Sequence, residues 1–463
     1  MRSVRFVAAA LVMLGGVGCS GNHAASPAAP AAKPAETAHT AGIGAAVPAE
    51  TPAKDLSAKE QAARMAKWRA EIRRTLNVPD KLPALEVKKW STFSPTEGVL
   101  ADRVTYKTAD GMLVPAIVYR PDPKVVKWTG KLPGIVVVNG HGSDKFGWYA
   151  FYSGMLFAKA GAVVVTYDMI GEGERNDEKK SKANEHDKWQ APQGTPEGED
   201  WGRRLAGLMQ VDLMQAVSYL DAQPDVDAKR IAVLGYSMGS FVAGITGAID
   251  PRIHALLLSG AGTFDGPGGY FDSGDRPCQA APYRALTYVG DRSAIIYALN
   301  AERGPLYVMN GAADTVMDIP HHLQDWFDGV KARAIAIRGT DKDMFTTIFY
   351  PGISHRTSWV DRDGVEWLEQ NIHFAALKES DIATMPVTHV STWAKANDVD
   401  IAPSYMREDR EGGLDALGTG FPGIKREDMM VLPQADWEKM KGQLTYDGWV
   451  AAEKAKIEKQ KAS

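Results

Sequence analysis

The chain has 463 residues, a formal net charge of −4 and a hydrophobic content of 44%. The length is enough for one large domain or two ordinary ones, and the composition is that of a soluble globular protein. A weakly negative chain offers no electrostatic reason to bind nucleic acid or an anionic membrane surface. With only two cysteines, Cys19 and Cys278, the fold is not built on disulfide bonds.

The first 19 residues are typical of an export signal, and we predict a lipoprotein-like signal peptide over 1–19. Its features are a positive start at Arg2 and Arg5, an apolar run over 6–14, and small residues that lead to Cys19. The run is too short to span a bilayer as a mature helix. The segment resembles a bacterial lipoprotein signal, although Gly16 stands where that pattern prefers leucine, so ordinary cleavage is the alternative. We therefore expect an exported protein, either periplasmic or membrane-anchored through a lipidated Cys19.

Residues 20–55 are rich in Ala and Pro and predict a disordered tether, because this composition does not bury a core. The predicted catalytic domain follows over 56–376. It starts with a helical pattern that ends at Asn77-Val78-Pro79. Short alternating runs come next, and the Asp110-Gly111 pair between two of them predicts a hairpin.

From residue 134 onward, apolar strands alternate with helices. The predicted strands cover 134–138, 162–167, 231–234, 253–258, 306–309 and 345–350, with helices at 148–160 and 205–220 among them. Strands that are apolar on both faces and separated by helices form a parallel sheet that is covered on both sides. The predicted fold class is therefore α/β, with a mostly parallel sheet flanked by helices on both faces.

Three segments stand outside this alternation. Residues 171–202 and 262–292 are polar and follow the C-terminal ends of strands, where open α/β sheets bind ligands. We predict that both line or cap a pocket, with a plain surface excursion as the alternative. Residues 377–463 form a C-terminal extension of unknown role, with Trp393, Trp437 and Trp449 as possible anchors.

The strongest functional signal is the pentapeptide Gly235-Tyr236-Ser237-Met238-Gly239, between a predicted strand and a small, apolar helical stretch. G-x-S-x-G in this context makes a tight turn that lifts the serine hydroxyl above the sheet, and its two glycines avoid side-chain clashes. The pattern predicts Ser237 as a nucleophile. It also predicts the Met238 backbone N–H as one donor to an oxyanion.

A serine nucleophile needs a base and a carboxylate that orients the base, in the chain order Ser, acid, His. Asp314 follows the strand at 306–309 and is the predicted acid, with Asp318 as the runner-up. His355 follows the last predicted strand and is the predicted base. The other candidate histidines are interpreted as ordinary surface or core residues, namely His254, His321, His322 and His373.

The second oxyanion donor is expected on the loop after the first parallel strand, which reads Asn139-Gly140-His141-Gly142-Ser143. We predict the Ser143 N–H, with the Gly142 N–H as the alternative. His141, Gly142 and Tyr236 are predicted to contact the substrate. The His141 side chain is interpreted as a structural brace rather than a base. Cys278 has no strand–turn–helix context and is not predicted as a nucleophile.

These motifs, together with Tyr167-Asp168-Met169-Ile170-Gly171-Glu172-Gly173, resemble those of the α/β-hydrolase superfamily. The resemblance covers about residues 85–376 and is closest to the dienelactone hydrolase and acetyl xylan esterase-like branch. Dienelactone hydrolases carry a cysteine nucleophile, and Ser237 departs from that pattern. The resemblance implies hydrolysis of a carboxylic ester, of the acetyl or carbohydrate type, by Ser237, His355 and Asp314.

The expected partner is a small-molecule or carbohydrate ester, and no metal or organic cofactor is expected. Two other functions remain open at this point. One is a serine peptidase of the prolyl-oligopeptidase type, which shares the catalytic domain but usually carries a large N-terminal propeller. The other is a non-catalytic binding protein on the same fold.

Overall fold

The computed structural model describes residues 53–266, 269–340, 344–399, 401 and 415–462. The predicted signal peptide, Cys19 and residues 20–52 of the predicted tether lie outside these residues. The described residues all fall in one structural unit.

The central feature of the fold is a nine-stranded sheet in the order β1-β2-β3-β5-β4-β6-β7-β8-β9. Its strands are β1 (Lys88–Thr96), β2 (Val99–Lys107), β3 (Leu113–Pro121), β4 (Leu132–Val138), β5 (Val163–Tyr167), β6 (Val226–Tyr236), β7 (Ala255–Ser259), β8 (Leu306–Gly311) and β9 (Phe345–Tyr350). The pairs β1–β2, β2–β3 and β3–β5 are antiparallel, and the pairs from β5 to β9 are parallel. The short strands β10 (Val387–His389) and β11 (Asp415–Leu417) form a separate antiparallel pair.

Helices cover both faces of the sheet. They are α1 (Ala58–Thr75), α2 (Trp148–Lys159), α3 (Pro196–Asp221), α4 (Met238–Ile249), α5 (Tyr270–Ser273), α6 (Ala280–Ala285), α7 (Arg292–Arg303), α8 (Ile319–Arg338), α9 (Arg362–Ile372), α10 (Glu379–Thr384), α11 (Val390–Ala396), α12 (Gln434–Leu444) and α13 (Tyr446–Ala462). A mostly parallel sheet between two layers of helices confirms the predicted fold class.

The alternation of side chains along β4 shows how the two layers are held. Val136 and Val138 belong to a core shared with α3, α4, α7 and α8, whereas Ile135 and Val137 belong to a second core shared with α2 and α9. Successive residues of a strand point to opposite faces, so an all-apolar strand supplies both cores. Burial of each such side chain contributes about 1.5–3 kcal/mol.

The helix α3 begins earlier than the sequence pattern predicts. We expected a helix from residue 205, but it starts at Pro196, so the polar segment that starts at 171 is shorter than predicted. Thr195 caps the helix, since its hydroxyl accepts a hydrogen bond from the Gly198 N–H at 3.1 Å. Proline at the first helical position and acidic residues in the first turn favour this start but carry no apolar periodicity.

The C-terminal extension packs against the sheet domain through its tryptophans, as predicted. Trp393, Trp437 and Trp449 are all buried. The Trp437 indole N–H donates to the Glu174 carbonyl at 2.8 Å, and the Trp449 ring meets the ring of Trp201 edge to face at 5.8 Å. Within the described ranges, no helix combines the length and the apolar content that crossing a bilayer requires.

Candidate active site

The turn that carries Ser237 lies between the end of β6 and the start of α4. Ser237 adopts φ +52° and ψ −116°, a conformation that side chains rarely take. A Cβ atom on Gly239 would come within 2.2 Å of the Val138 carbonyl oxygen, and one on Gly235 within 2.5 Å of the Gly239 carbonyl oxygen. Both glycines are therefore required by close backbone contacts, as the motif predicts.

Ser237, His355 and Asp314 lie in one hydrogen-bonded row. The His355 Nε2 is 2.9 Å from the Ser237 Oγ, and the His355 Nδ1 is 2.8 Å from the Asp314 Oδ2. The other carboxylate oxygen, Asp314 Oδ1, accepts the N–H groups of Val316 and Met317 at 3.0 and 3.1 Å. These contacts hold the carboxylate in a fixed orientation. The structure thus brings together three side chains that the sequence predicted from a motif, their positions after strands and their chain order.

The runner-up acid and the rival histidines form contacts elsewhere. Asp318 follows Asp314 by four residues, but its carboxylate contacts the exposed ring of His321. His322 lies 3.7 Å from Asp265. Neither the carboxylate of Asp318 nor these two rings take part in the row that contains Ser237.

Tyr236 holds the loop that carries His355. Its hydroxyl donates to the His355 carbonyl oxygen at 3.0 Å and accepts a hydrogen bond from the Arg356 guanidinium at 2.6 Å. Tyr236 also lines the cavity above Ser237. The tyrosine therefore lines the cavity and also makes a structural contact that the sequence did not indicate.

The loop after β4 passes directly beside Ser237. A Cβ atom on Gly140 would lie 3.0 Å from the Ser237 Cβ. The Ser143 N–H, predicted as an oxyanion donor, closes a turn onto the Gly140 carbonyl at 3.2 Å. The Gly142 N–H, the alternative, interacts with the Glu172 carboxylate. Among the described residues, the His141 N–H has no hydrogen-bond partner, so the structure disfavours both predicted donors and leaves this one available.

The cavity above Ser237 has a volume of about 440 Å³. Its lining includes the predicted His141, Gly142, Ser143 and Tyr236 together with Tyr149, Lys182, Asn184, Tyr270, Arg276, Gln279, Val316, Met317 and Arg356. Lys182 and Arg276 come from the two long polar segments, which confirms that both segments line the pocket. The described lining residues include the basic side chains of Lys182, Arg276 and Arg356 and no carboxylate, a feature that the sequence did not indicate.

The side chain of His141 is directed at the rim of the cavity rather than at Ser237. Its Nε2 lies 3.4 Å from the Cys278 Sγ and 3.2 Å from Asp187 Oδ1. Burial, together with the nearby Arg276 guanidinium, lowers the pKa of His141 to about 3. These contacts support a brace rather than a general base.

Glu172 is buried behind the loop after β4, where it accepts the N–H groups of Ala183 and Asn184 at 3.2 and 2.9 Å. Burial raises the pKa of this carboxyl from 4.5 to about 8. The folded protein therefore holds a proton that the unfolded chain releases, so this group makes stability fall as pH rises from about 4.5 to about 8.

We expect Glu172→Gln to reduce that loss of stability, because glutamine keeps the acceptor oxygen and does not titrate. Each pKa unit corresponds to about 1.4 kcal/mol, so the difference between pH 5 and pH 9 should amount to a few kcal/mol. Urea unfolding at the two pH values measures it, with the exposed Glu427→Gln as the control. An unchanged pH dependence in Glu172→Gln would contradict the assignment.

Residues 135–360 match the model of the Alpha/beta hydrolase family. The chain is similar to the solved structure of the methylesterase BT1017, with 17% identity, 89% of this chain and 79% of that chain covered, and a TM-score of 0.56. It is also similar to an acetyl xylan esterase from a Paenibacillus species, at 17% identity, 68% and 100% coverage and a TM-score of 0.45. A further similar structure is a glucuronoyl esterase from Solibacter usitatus, with 16% identity, 69% of this chain and 93% of that chain covered, and a TM-score of 0.46. No curated protein matches the sequence.

The matched segment contains the strand–Ser237–helix turn, Asp314 and His355, and the sheet around it has the strand order described above. The sheet domain therefore has the α/β-hydrolase fold. At these identities, the similarity to the solved esterases concerns the fold.

Proposed function

We propose that this protein is an exported serine esterase that cleaves a carboxylic ester through an acyl-enzyme on Ser237. The observation that carries the proposal is the row of Ser237, His355 and Asp314, with its contacts of 2.9 and 2.8 Å. A serine hydroxyl becomes a nucleophile at neutral pH only when a base accepts its proton and a carboxylate orients that base. The three residues supply these parts at the strand ends of an α/β-hydrolase sheet.

In the proposed reaction, the Ser237 Oγ attacks the ester carbonyl while the His355 Nε2 takes the hydroxyl proton. Asp314 holds the imidazole through its Nδ1–H and stabilises the imidazolium that forms. His355 then gives the proton to the departing alcohol, which leaves the acyl group on Ser237. Water deprotonated by His355 hydrolyses the acyl-enzyme and restores the serine.

We assign the two oxyanion donors to the backbone N–H groups of Met238 and His141. Met238 opens α4, so its N–H is one of the helix N-terminal groups without an intrahelical partner. His141 replaces the predicted Ser143, whose N–H already donates to Gly140. The closeness of Gly140 to Ser237 supports this choice, because it puts the Gly140–His141 peptide beside the attacked carbonyl.

The charge of the cavity favours an ester whose acyl or alcohol part carries a carboxylate. Lys182, Arg276 and Arg356 line the cavity, the described lining residues include no carboxylate, and Arg276 is paired with Asp187 at the rim. Cations at the mouth of a cleft raise the local concentration of anionic substrates. An acidic sugar ester combines such a charge with the hydroxyl groups that the polar lining can hydrogen-bond.

The test is a substrate panel combined with a fluorophosphonate probe. We expect the probe to label Ser237 and the enzyme to hydrolyse p-nitrophenyl acetate. Within the panel, we expect faster turnover of a methyl or acetyl ester of an acidic sugar than of its neutral counterpart. A preference for peptide anilides would favour the prolyl-oligopeptidase alternative. Folded protein that neither labels nor turns over esters would favour the non-catalytic alternative.

Export is proposed on the basis of Arg2, Arg5, the apolar run that follows and Cys19. Mass spectrometry of the mature N-terminus tests it. A diacylglyceryl group on Cys19 supports anchoring, cleavage without lipid supports a periplasmic protein, and an intact Met1 contradicts export.

A further inference from the structure

Four metal-ligating side chains meet at the rim of the cavity, and the proposed reaction uses none of them. They are His141, His186, Asp187 and Cys278, whose ligand atoms all lie within 4.8 Å of one another. His141 comes from the loop after β4, His186 and Asp187 from the segment after β5, and Cys278 from the segment after β7. Residues far apart in sequence are thus brought to one point.

His186 gives the clearest indication of what the cluster does. Its ring is fully buried, and its Nδ1 lies 2.8 Å from the Ile170 carbonyl oxygen, to which only an N–H can donate. The proton is therefore on Nδ1, and the Nε2 lone pair faces the cluster, 4.0 Å from Asp187 Oδ1. This buried nitrogen has no hydrogen-bond partner among the described residues. A buried polar atom without a partner lowers the stability of the fold by about 1–3 kcal/mol, so a bound ligand at this nitrogen is expected.

We propose that His141, His186, Asp187 and Cys278 bind one divalent transition-metal ion of the Zn²⁺ type. Two imidazoles, a carboxylate and a thiolate are a ligand set that zinc accepts. Zinc–nitrogen and zinc–sulfur bonds of about 2.0 and 2.3 Å separate tetrahedral ligand atoms by roughly 3.3–3.8 Å. The contacts of His141 Nε2 with Asp187 and Cys278, and of Cys278 with Asp187, measure 3.2, 3.4 and 3.4 Å.

The charges also suit a divalent cation. Cys278 would lose its thiol proton to solvent on binding, so the thiolate and the Asp187 carboxylate together neutralise the ion. Arg276 contacts the second carboxylate oxygen of Asp187, which leaves Oδ1 directed at the cluster. The His186 contact with a backbone carbonyl is the type of outer contact that fixes the tautomer of a metal-bound histidine.

The alternative is a metal-free hydrogen-bonded cluster. The Cys278 S–H can donate to Asp187 Oδ1, and the His141 ring can hydrogen-bond to either neighbour. This arrangement satisfies His141, Asp187 and Cys278. It leaves the His186 Nε2 unpaired, which a metal ion would correct.

A metal at this position would join three loops around the cavity. It would hold the His141 side chain, and with it the backbone N–H that we assign to the oxyanion. The expected role is to position the loop rather than to contact the substrate. Metal binding itself does not depend on the proposed esterase activity, so the two proposals succeed or fail separately.

The test is Co²⁺ titration of the untagged full-length protein after dialysis against EDTA. We expect saturation at one ion per chain, visible bands of tetrahedral cobalt, and a near-ultraviolet band from the thiolate–cobalt bond. Zinc added afterwards should bleach these bands and raise Tm, because a ligand that binds only the native state stabilises it. Folded wild-type protein that gives neither cobalt bands nor a Tm shift with zinc would overturn the proposal.

Single-residue variants test whether cobalt binds at these four side chains. Cys278→Ser should remove the thiolate–cobalt band, and His186→Gln should abolish stoichiometric binding, while the exposed His321→Gln should match the wild type. Near-ultraviolet circular dichroism checks that each variant is folded. A cobalt spectrum that is the same in Cys278→Ser and the wild type would place the metal elsewhere and refute the assignment, whatever the esterase activity.

Discussion

Replacement of Ser237 by Ala is expected to lower kcat toward an ester by about 10³-fold or more while the protein stays folded. The Ser237 Oγ contacts the His355 ring at 2.9 Å and is the proposed attacking atom. Alanine keeps the Cβ atom and the backbone N–H to Ser259, so the turn at φ +52° is not altered. Steady-state kinetics with p-nitrophenyl acetate measure the effect, and circular dichroism checks the fold.

The two neighbouring aspartates, Asp314 and Asp318, provide a matched pair of variants for the same kinetic experiment. Asp314→Asn should lower kcat by about 10⁴-fold, since the amide no longer stabilises the imidazolium or fixes its tautomer. Asp318→Asn should leave kcat close to that of the wild type, because its carboxylate contacts His321 instead of His355. Retained activity in Ser237→Ala, or equal losses in the two aspartate variants, would show that the row is misassigned.

Replacement of Lys145 by Met is expected to destabilise the protein by about 3–5 kcal/mol. Lys145 is fully buried between the carboxylates of Asp168 and Glu174, the latter at 2.8 Å. Burial alone would lower the pKa of this ammonium, but the two carboxylates outweigh it and raise the pKa. Loss of the ammonium leaves two buried carboxylates without their counter-ion, which costs far more than the loss of an exposed ion pair.

The effect should extend to the C-terminal extension. The Glu174 carboxylate accepts the N–H groups of Val431 and Leu432 at 2.8 and 2.9 Å, so Lys145 supports the contact that holds this segment. Urea unfolding of the wild type and Lys145→Met measures the change, with the exposed Lys229→Met as the control. If Lys145→Met unfolds at the same urea concentration as Lys229→Met, the buried charges are compensated in another way.

The sheet could be predicted because each of its parallel strands has a recognisable local sequence pattern. A strand such as Leu132–Val138 is apolar on every residue, and only a sheet covered on both faces satisfies that pattern. The beginning of α3 was missed because a cap at Thr195 and a proline at Pro196 carry no hydrophobic period. The local sequence pattern therefore predicted the existence of strands and helices more accurately than the residues at which they begin.

The three side chains at Ser237 were predicted from motif and order, and the structure places them together, whereas the second oxyanion donor is a proposal that the loop geometry suggests. Ser143 and Gly142 were plausible because both follow a strand, but their N–H groups are already engaged. The direction of a backbone N–H depends on the φ and ψ angles of the loop, and Gly142 turns the chain at φ +71°. Residue types alone do not encode that direction.

The sequence by itself predicted the fold class and pointed to Ser237, because strand periodicity and a tight G-x-S-x-G turn are local properties. Chain order then pointed to Asp314 and His355, which the structure places beside Ser237. Only the tertiary structure decided that Lys182, Arg276 and Arg356 share one cavity, and that His141, His186, Asp187 and Cys278 meet at its rim. These residues come from loops far apart in the chain, and their meeting depends on how the sheet places the loop ends. Such contacts leave no local pattern for a sequence to display.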